Sequence, residues 1–150
     1  MSIKTQKANM KTLGKLLSQD LSYIYGERES GPNGAKQEFL RKGKAFMRAL
    51  AKDLGFTEYD VRVNKAGIAT SGEVKLYGMW GEDNGLFIEL SQMNIRDACI
   101  MYRTISDISG GKCGNNQFLP IATLLIGDYE SLRNTFLSYC KQMDKSTEAA

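Results

Sequence analysis

The residues best able to do chemistry crowd into one stretch, "SGGKCGNNQFLP", Ser109 to Pro120. Cys113 stands beside Lys112, and a neighbouring cation favours the thiolate form of a cysteine. A serine or cysteine nucleophile still needs a group to take its proton, usually histidine, and the 150 residues contain none. Gly110-Gly111-Lys112 has the look of a phosphate loop, but that motif requires G-x-x-x-x-G-K-[ST], and here Lys112 is followed by Cys113. The three cysteines, Cys99, Cys113 and Cys140, have no CxxC spacing and no histidine to complete a zinc set, so they read as small apolar or loop thiols. Glu82 and Asp83 are adjacent carboxylates, but their setting is that of a hairpin tip. The expectation is therefore a protein with no catalytic residues, no metal and no cofactor. In the loop itself, glycine and asparagine tolerate left-handed turns, Phe118 is expected to pack inward, and Lys112, Asn115 and Asn116 are left for contact.

Charge is more informative than catalysis. The formal net charge is +3, but up to Asp53 the chain holds 11 basic and 5 acidic residues, net +6, and after it 9 and 12, net −3. In "KQEFLRKGKAFMRALAKDLGF", Phe39, Phe46, Met47, Leu50 and Leu54 share one sector at about 100° per residue. Arg41, Lys44, Arg48 and Lys52 fall on the other side, in a cationic row suited to phosphates or acidic surfaces. Trp80, beside Tyr77 and Met79, is either core or a stacking surface for a partner.

These groups must be positioned by a modest set of elements. Met10, Leu13, Leu16, Leu17, Leu21 and Ile24 mark a first helix over about residues 8–24. "GERESGPNGAK" then breaks the pattern, which suggests an N-terminal helical arm (1–25), a linker (26–36), an α+β domain (37–143) and a disordered tail (144–150). From Tyr59 the period becomes two: "YDVRV", "EVKLYGMW", "LFIEL" and "ACIMYRTI" read as four strands, with "EDNG" supplying Asn-Gly hairpin chemistry. In the third, Leu86, Ile88 and Leu90 share a face and Glu89 points the other way. "PIATLLIG" reads as a short helix ending at Gly127. Asp128 then caps a last helix with Tyr129, Leu132, Phe136 and Cys140 on its buried side. The fold class expected is α+β: a four-stranded, mainly antiparallel sheet packed against two or three helices, with the N-terminal helix as an arm. No apolar run approaches the roughly 18 residues of a membrane span, and "MSIKTQKANM" has no signal-like apolar core, so a cytoplasmic protein is expected.

The run "GKAFMRALAKDLGFTEYDVRVNKAGIATSGEVKLYGMWGEDNGLFIELSQ", with "YRTI", the Gly- and Asn-rich loop and "GDYESL", resembles small accessory proteins of plasmids, integrative elements and phages of gut bacteria. The likeness runs from about Gly43 to Leu132. It implies a non-catalytic inhibitor of host defence, anti-CRISPR-like, whose partner is a host protein or ribonucleoprotein complex such as a CRISPR effector. The expected contact residues are Arg41, Lys44, Arg48, Lys52, Trp80, Glu82, Asp83, Lys112, Asn115 and Asn116. Glu82 and Asp83 would imitate phosphates, and the basic helix would meet an acidic subunit or nucleic acid. The alternative expectation is a nucleic-acid-binding accessory protein for conjugation or replication that uses the same basic helix.

Overall fold

The computed structural model describes residues 2–19, 34–65, 72–92, 98–111 and 114–144. Its first helix, α1 (Ile3–Leu17), starts where the Ser2 hydroxyl accepts a hydrogen bond from the Thr5 amide at 3.1 Å. Leu21 and Ile24, expected in this helix, lie outside the described residues, as does most of the expected linker; so does the tail beyond Asp144. The helix is not an arm. Met10 and Leu13 are fully buried in the main core, and the Gln6 amide donates to the Phe46 carbonyl at 3.2 Å, because the apolar stripe of α1 has the helix layer itself as its partner.

The second helix, α2 (Ala35–Asp53), follows the apolar periodicity closely. Phe39, Phe46, Met47 and Leu50 are buried and Leu54 closes the helix, as their common sector requires. It lies close on the sheet because Gly43 carries no side chain: a Cβ there would stand 2.8 Å from Val74 Cγ2.

The strands are β1 (Glu58–Asn64), β2 (Glu73–Gly81), β3 (Asn84–Ser91), β4 (Ile100–Ile105) and β5 (Gln117–Leu119). All neighbours are antiparallel and the spatial order is the chain order, an open meander. Among the described residues the sheet thus has five strands, not four. The fifth comes from the stretch read as a loop, where three residues are too few to show an alternation and the pairing Ile100 with Leu119 and Tyr102 with Gln117 does the work. Phe118 does not pack inward: strand alternation turns it away from Gln117 and Leu119, leaving it 44% exposed.

The β2–β3 hairpin also differs from the Asn-Gly expectation. Its turn is Glu82-Asp83, with Asp83 at φ 62°, while Asn84 and Gly85 belong to β3. Gly85 is needed inside the sheet: a Cβ there would lie 2.4 Å from Met79 Sδ and 2.8 Å from the Gly78 carbonyl oxygen. Asp83 takes the left-handed conformation in its place, which aspartate tolerates better than most residues.

Helix α3 (Ile121–Ile126) follows Pro120 and ends at Gly127, φ 72°. In α4 (Tyr129–Met143), Asp128 caps the first turn by accepting from the Ser131 amide at 3.1 Å. Tyr129, Leu132, Phe136 and Cys140 are buried as their spacing demands. The helices supply one side of the main core. Val74, Leu76, Leu86, Ile88, Leu90, Ile100 and Tyr102, all from one face of the sheet, supply the other.

Candidate functional site

The exposed side of α2 carries Arg41, Lys44, Arg48 and Lys52 in a row, because its other side is consumed by the core. Arg41 has one acidic neighbour, Glu38, at 3.8 Å, one turn before it. Among the described residues no carboxylate lies within salt-bridge distance of Lys44, Arg48 or Lys52. At the N-terminal half of the row, Arg41 and Lys44 meet Lys65 and Val63 of the β1 edge around an open hollow of about 300 Å³. The result is a cationic concavity with an apolar patch, Val63 being 38% exposed. Such a site suits a phosphate or carboxylate held against a hydrophobic contact.

The remaining expected contact residues do not join this row. Trp80 alternates onto the helix side of the sheet, is half-buried against the main core, and lines a separate hollow of about 260 Å³ with Leu54, Phe56 and Leu137. It is not part of an aromatic face with Tyr77. Glu82 and Asp83 project from the hairpin tip, both exposed. Asn115 and Asn116 are exposed, and Asn115 lines a third concavity, an open groove of about 1340 Å³. Lys112 and Cys113 lie outside the described residues. Cys99 and Cys140 are buried, and burial, aided by Asp144, pushes the Cys140 thiol up to about 12, so it is protonated at neutral pH.

The sequence reading passed over two features. One is on α1: Lys4, Lys7, Lys11 and Lys15 recur at three- and four-residue spacing and form a second cationic row, visible in the sequence once the helix is known to begin at Ile3. Lys7 is paired with Glu130 of α4 at 3.1 Å.

The other is the sheet face away from the helices. Alternation places Glu73, Lys75, Tyr77 and Met79 of β2 there, with Phe87, Glu89 and Ser91 of β3 beside them. The Arg62 guanidinium sits 4.0 Å above the Tyr77 ring and donates to the Ile108 carbonyl at 2.9 Å. This ties the loop after β4 across the sheet, and Met79, Phe87 and Ile105 form a small second core beneath it. The loop is folded by Asp107, whose carboxylate accepts from the amides of Ser109 and Gly111. The hydroxyl and amide donors hold Asp107 below the usual carboxylate range. Thus "SDISGG", Ser106–Gly111, is a structured cover for this face.

Glu89 is buried on that face at 8% exposure and accepts from Ser91 at 3.4 Å. Burial, then the hydrogen bond and charge of Glu73, push its carboxyl up to about 7. Glu73 goes the other way. Against the opposing effect of its own burial, the hydrogen bond from Glu89, the charge of Lys75 and the amide of Asn64 hold it below the usual range. The pair shares a proton where two carboxylates could not both ionise cheaply. Because the folded carboxyl of Glu89 titrates above its unfolded value, the native state binds the extra proton between about pH 4.5 and 7, and stability falls as pH rises through that window. Glu89→Gln is expected to flatten this decline and to be more stable than the parent at pH 8 by about 1–2 kcal/mol. Urea unfolding at a series of pH values checks it, and an unchanged slope between pH 5 and 7 would refute the shared proton.

The fold and these surfaces define an α+β protein with a helix-covered antiparallel meander and no helix, among the described residues, long and apolar enough to cross a membrane. Comparison with protein-family models, with curated proteins and with solved structures gives no match.

Proposed function

We propose that the protein is a non-catalytic binding protein that docks the cationic row of α2 onto an acidic or phosphate-bearing surface of a host nuclease complex and so inhibits it, in the manner of an anti-CRISPR protein. The observation that carries the reading is the unneutralised row Lys44, Arg48 and Lys52 continuing into the Arg41, Lys44 and Lys65 hollow. A solvated helix face ordinarily mixes its signs, so that neighbouring charges offset one another. Here the like charges are held at one-turn spacing by a helix whose other face cannot rotate out of the core. The mobile-element setting comes from the resemblance of residues 43–132, and the exposed Glu82 and Asp83 add a short acidic tip able to meet a basic channel.

The second cationic row, Lys4 to Lys15 on α1, favours the other reading, a nucleic-acid-binding accessory protein for conjugation or replication. The two part company in a pair of assays. Cells whose CRISPR system clears a targeted plasmid are expected to retain that plasmid when the protein is expressed, while purified protein leaves naked duplex and single-stranded probes unshifted. Steep salt-dependent binding of the naked probes, with no plasmid protection, would transfer the assignment to the accessory role.

A further inference from the structure

Helix α3 gives only part of its apolar surface to the core. Leu124 is fully buried, so at about 100° per residue its neighbours Leu125 and Ile126 turn outward. Ile126, 70% exposed, is the most exposed large apolar side chain among the described residues, and Leu125 is 42% exposed. They are held there. A Cβ at Gly14 of α1 would stand 2.9 Å from Leu125 Cδ2 and 3.0 Å from the Leu125 amide nitrogen, so the backbone of α3 is seated directly on α1 and has no room to turn. Gly127, at φ 72°, ends the helix one residue beyond Ile126.

The cationic row of α1 lies beside this pair. Lys7 and Lys11 line the same concavity as Ile126, and the stem of Lys11 runs over the end of α3, where a Cβ at Gly127 would meet it at 2.7 Å. Lys4, Lys11 and Lys15 are exposed, and among the described residues none of them has a carboxylate within salt-bridge distance. The two carboxylates that line the concavity are already engaged: Glu130 pairs with Lys7 at 3.1 Å, and Asp128 caps α4. An aliphatic projection thus stands next to three unpaired ammonium groups. A nucleic-acid backbone would answer the lysines and give Ile126 no apolar partner. An anionic bilayer answers both, since its headgroups present phosphates and its acyl boundary, roughly 5–10 Å deeper, takes aliphatic side chains. Lysine stems are long enough to stay with the headgroups while the aliphatic tip enters.

We propose that α1 and the Leu125–Ile126 tip of α3 attach the protein reversibly to the surface of an anionic lipid bilayer. Leu125 and Ile126 enter the headgroup boundary, and Lys4, Lys11 and Lys15 bind lipid phosphates. Two apolar side chains fall far short of a stable anchor, so attachment needs both contributions and is lost at high salt. The surface uses no residue of the α2 row, so the two proposals stand or fall separately.

Sedimentation of the full chain with vesicles of phosphatidylglycerol and phosphatidylcholine in equal parts tests it. The protein is expected to pellet with these vesicles at low salt and to stay in solution with phosphatidylcholine alone. Ile126→Ser, which leaves every charge in place, should weaken the partition at least about fivefold. The combined variant Lys4→Gln, Lys11→Gln and Lys15→Gln should weaken it at least about tenfold. All four side chains are exposed, and thermal melts confirm that the variants fold; should Ile126→Ser unfold, Ile126→Thr, which keeps the branched shape, repeats the measurement. No pelleting with the anionic vesicles, or a folded Ile126 variant that pellets as well as the parent, would overturn the proposal. So would a duplex DNA probe bound equally by the parent and the Ile126 variant and lost in the lysine variant, since the row would then serve nucleic acid.

Discussion

The variant carrying Arg41→Glu, Lys44→Glu, Arg48→Glu and Lys52→Glu is expected to bind its target at least about a hundredfold more weakly, a change of about 2.7 kcal/mol. Each reversal turns an attraction of about 0.2–1 kcal/mol into a repulsion of similar size, so four of them together amount to roughly 2–8 kcal/mol and reach that figure over most of the range. The fold should survive. None of the four side chains is buried, and Glu38 loses only its exposed partner Arg41. The largest structural cost is at Lys52, where glutamate in the last helical turn opposes the helix dipole by about 0.3–1 kcal/mol. Isothermal titration against the proposed target, a purified nuclease complex, reads the affinity, and far-ultraviolet circular dichroism confirms the fold. Full retention of affinity would remove α2 from the interface. If the target is instead duplex nucleic acid, the same variant should lower the steepness of the log K against log salt plot by about 3 to 4, the loss of four phosphate contacts.

Phe46→Ala is expected to be the most damaging of the simple truncations, at about 3–5 kcal/mol. Phe46 is almost fully buried and meets the Tyr129 ring edge-on at 5.9 Å, and its carbonyl takes the buried Gln6 amide. One residue thereby joins α1, α2 and α4. In a chain of this size each kcal/mol moves the midpoint by roughly 2–4 °C, so the melting temperature should fall by about 6–20 °C. Tyr129→Phe is the contrasting case. It keeps the ring and removes only the hydroxyl, which donates to Asp53 and is also hydrogen-bonded by Gln6, a loss of about 1.5–3 kcal/mol. A Phe46→Ala melt within about 2 °C of the parent would mean that α1 contributes little to the shared core.

How far each feature could be read from the chain follows from the distance over which it is determined. The apolar sectors of α2 and α4, the Asp128 cap and the Gly127 stop are written within a few residues, and the structure places them where the periodicity does. The alternation of β3 was likewise legible, with Leu86, Ile88 and Leu90 on the core side. Its other face was not. Phe87, Glu89 and Ser91 look solvent-directed in a strand read alone, yet they are buried. A segment far along the chain, Ser106–Gly111, is bound across the Phe87 end of that face through Arg62 of β1, and Glu89 is closed in by its contacts with Glu73 and Ser91.

The contact residues divide in the same way. The cationic row of α2 depends only on helical spacing and stands as expected in geometry. Trp80, Glu82, Asp83 and Asn115 do not converge with it, because their positions are set by which strand pairs with which and not by their neighbours in sequence. The carboxyl pair Glu73 and Glu89 is separated along the chain and meets only through the β2–β3 register, diagonal across Lys75 and Ser91.

By itself the amino-acid sequence determined the helices and the four longer strands in outline, the apolar stripe of each helix, and that α2 must turn its cations outward, since these follow from repeating side-chain contacts one turn or two residues apart. Tertiary structure alone decided that α1 belongs to the core, that a three-residue segment becomes the outer strand β5, and that two glutamates meet on the far face of the sheet. Each of these depends on surfaces from remote segments being brought together, and local periodicity carries no information about which surfaces those are.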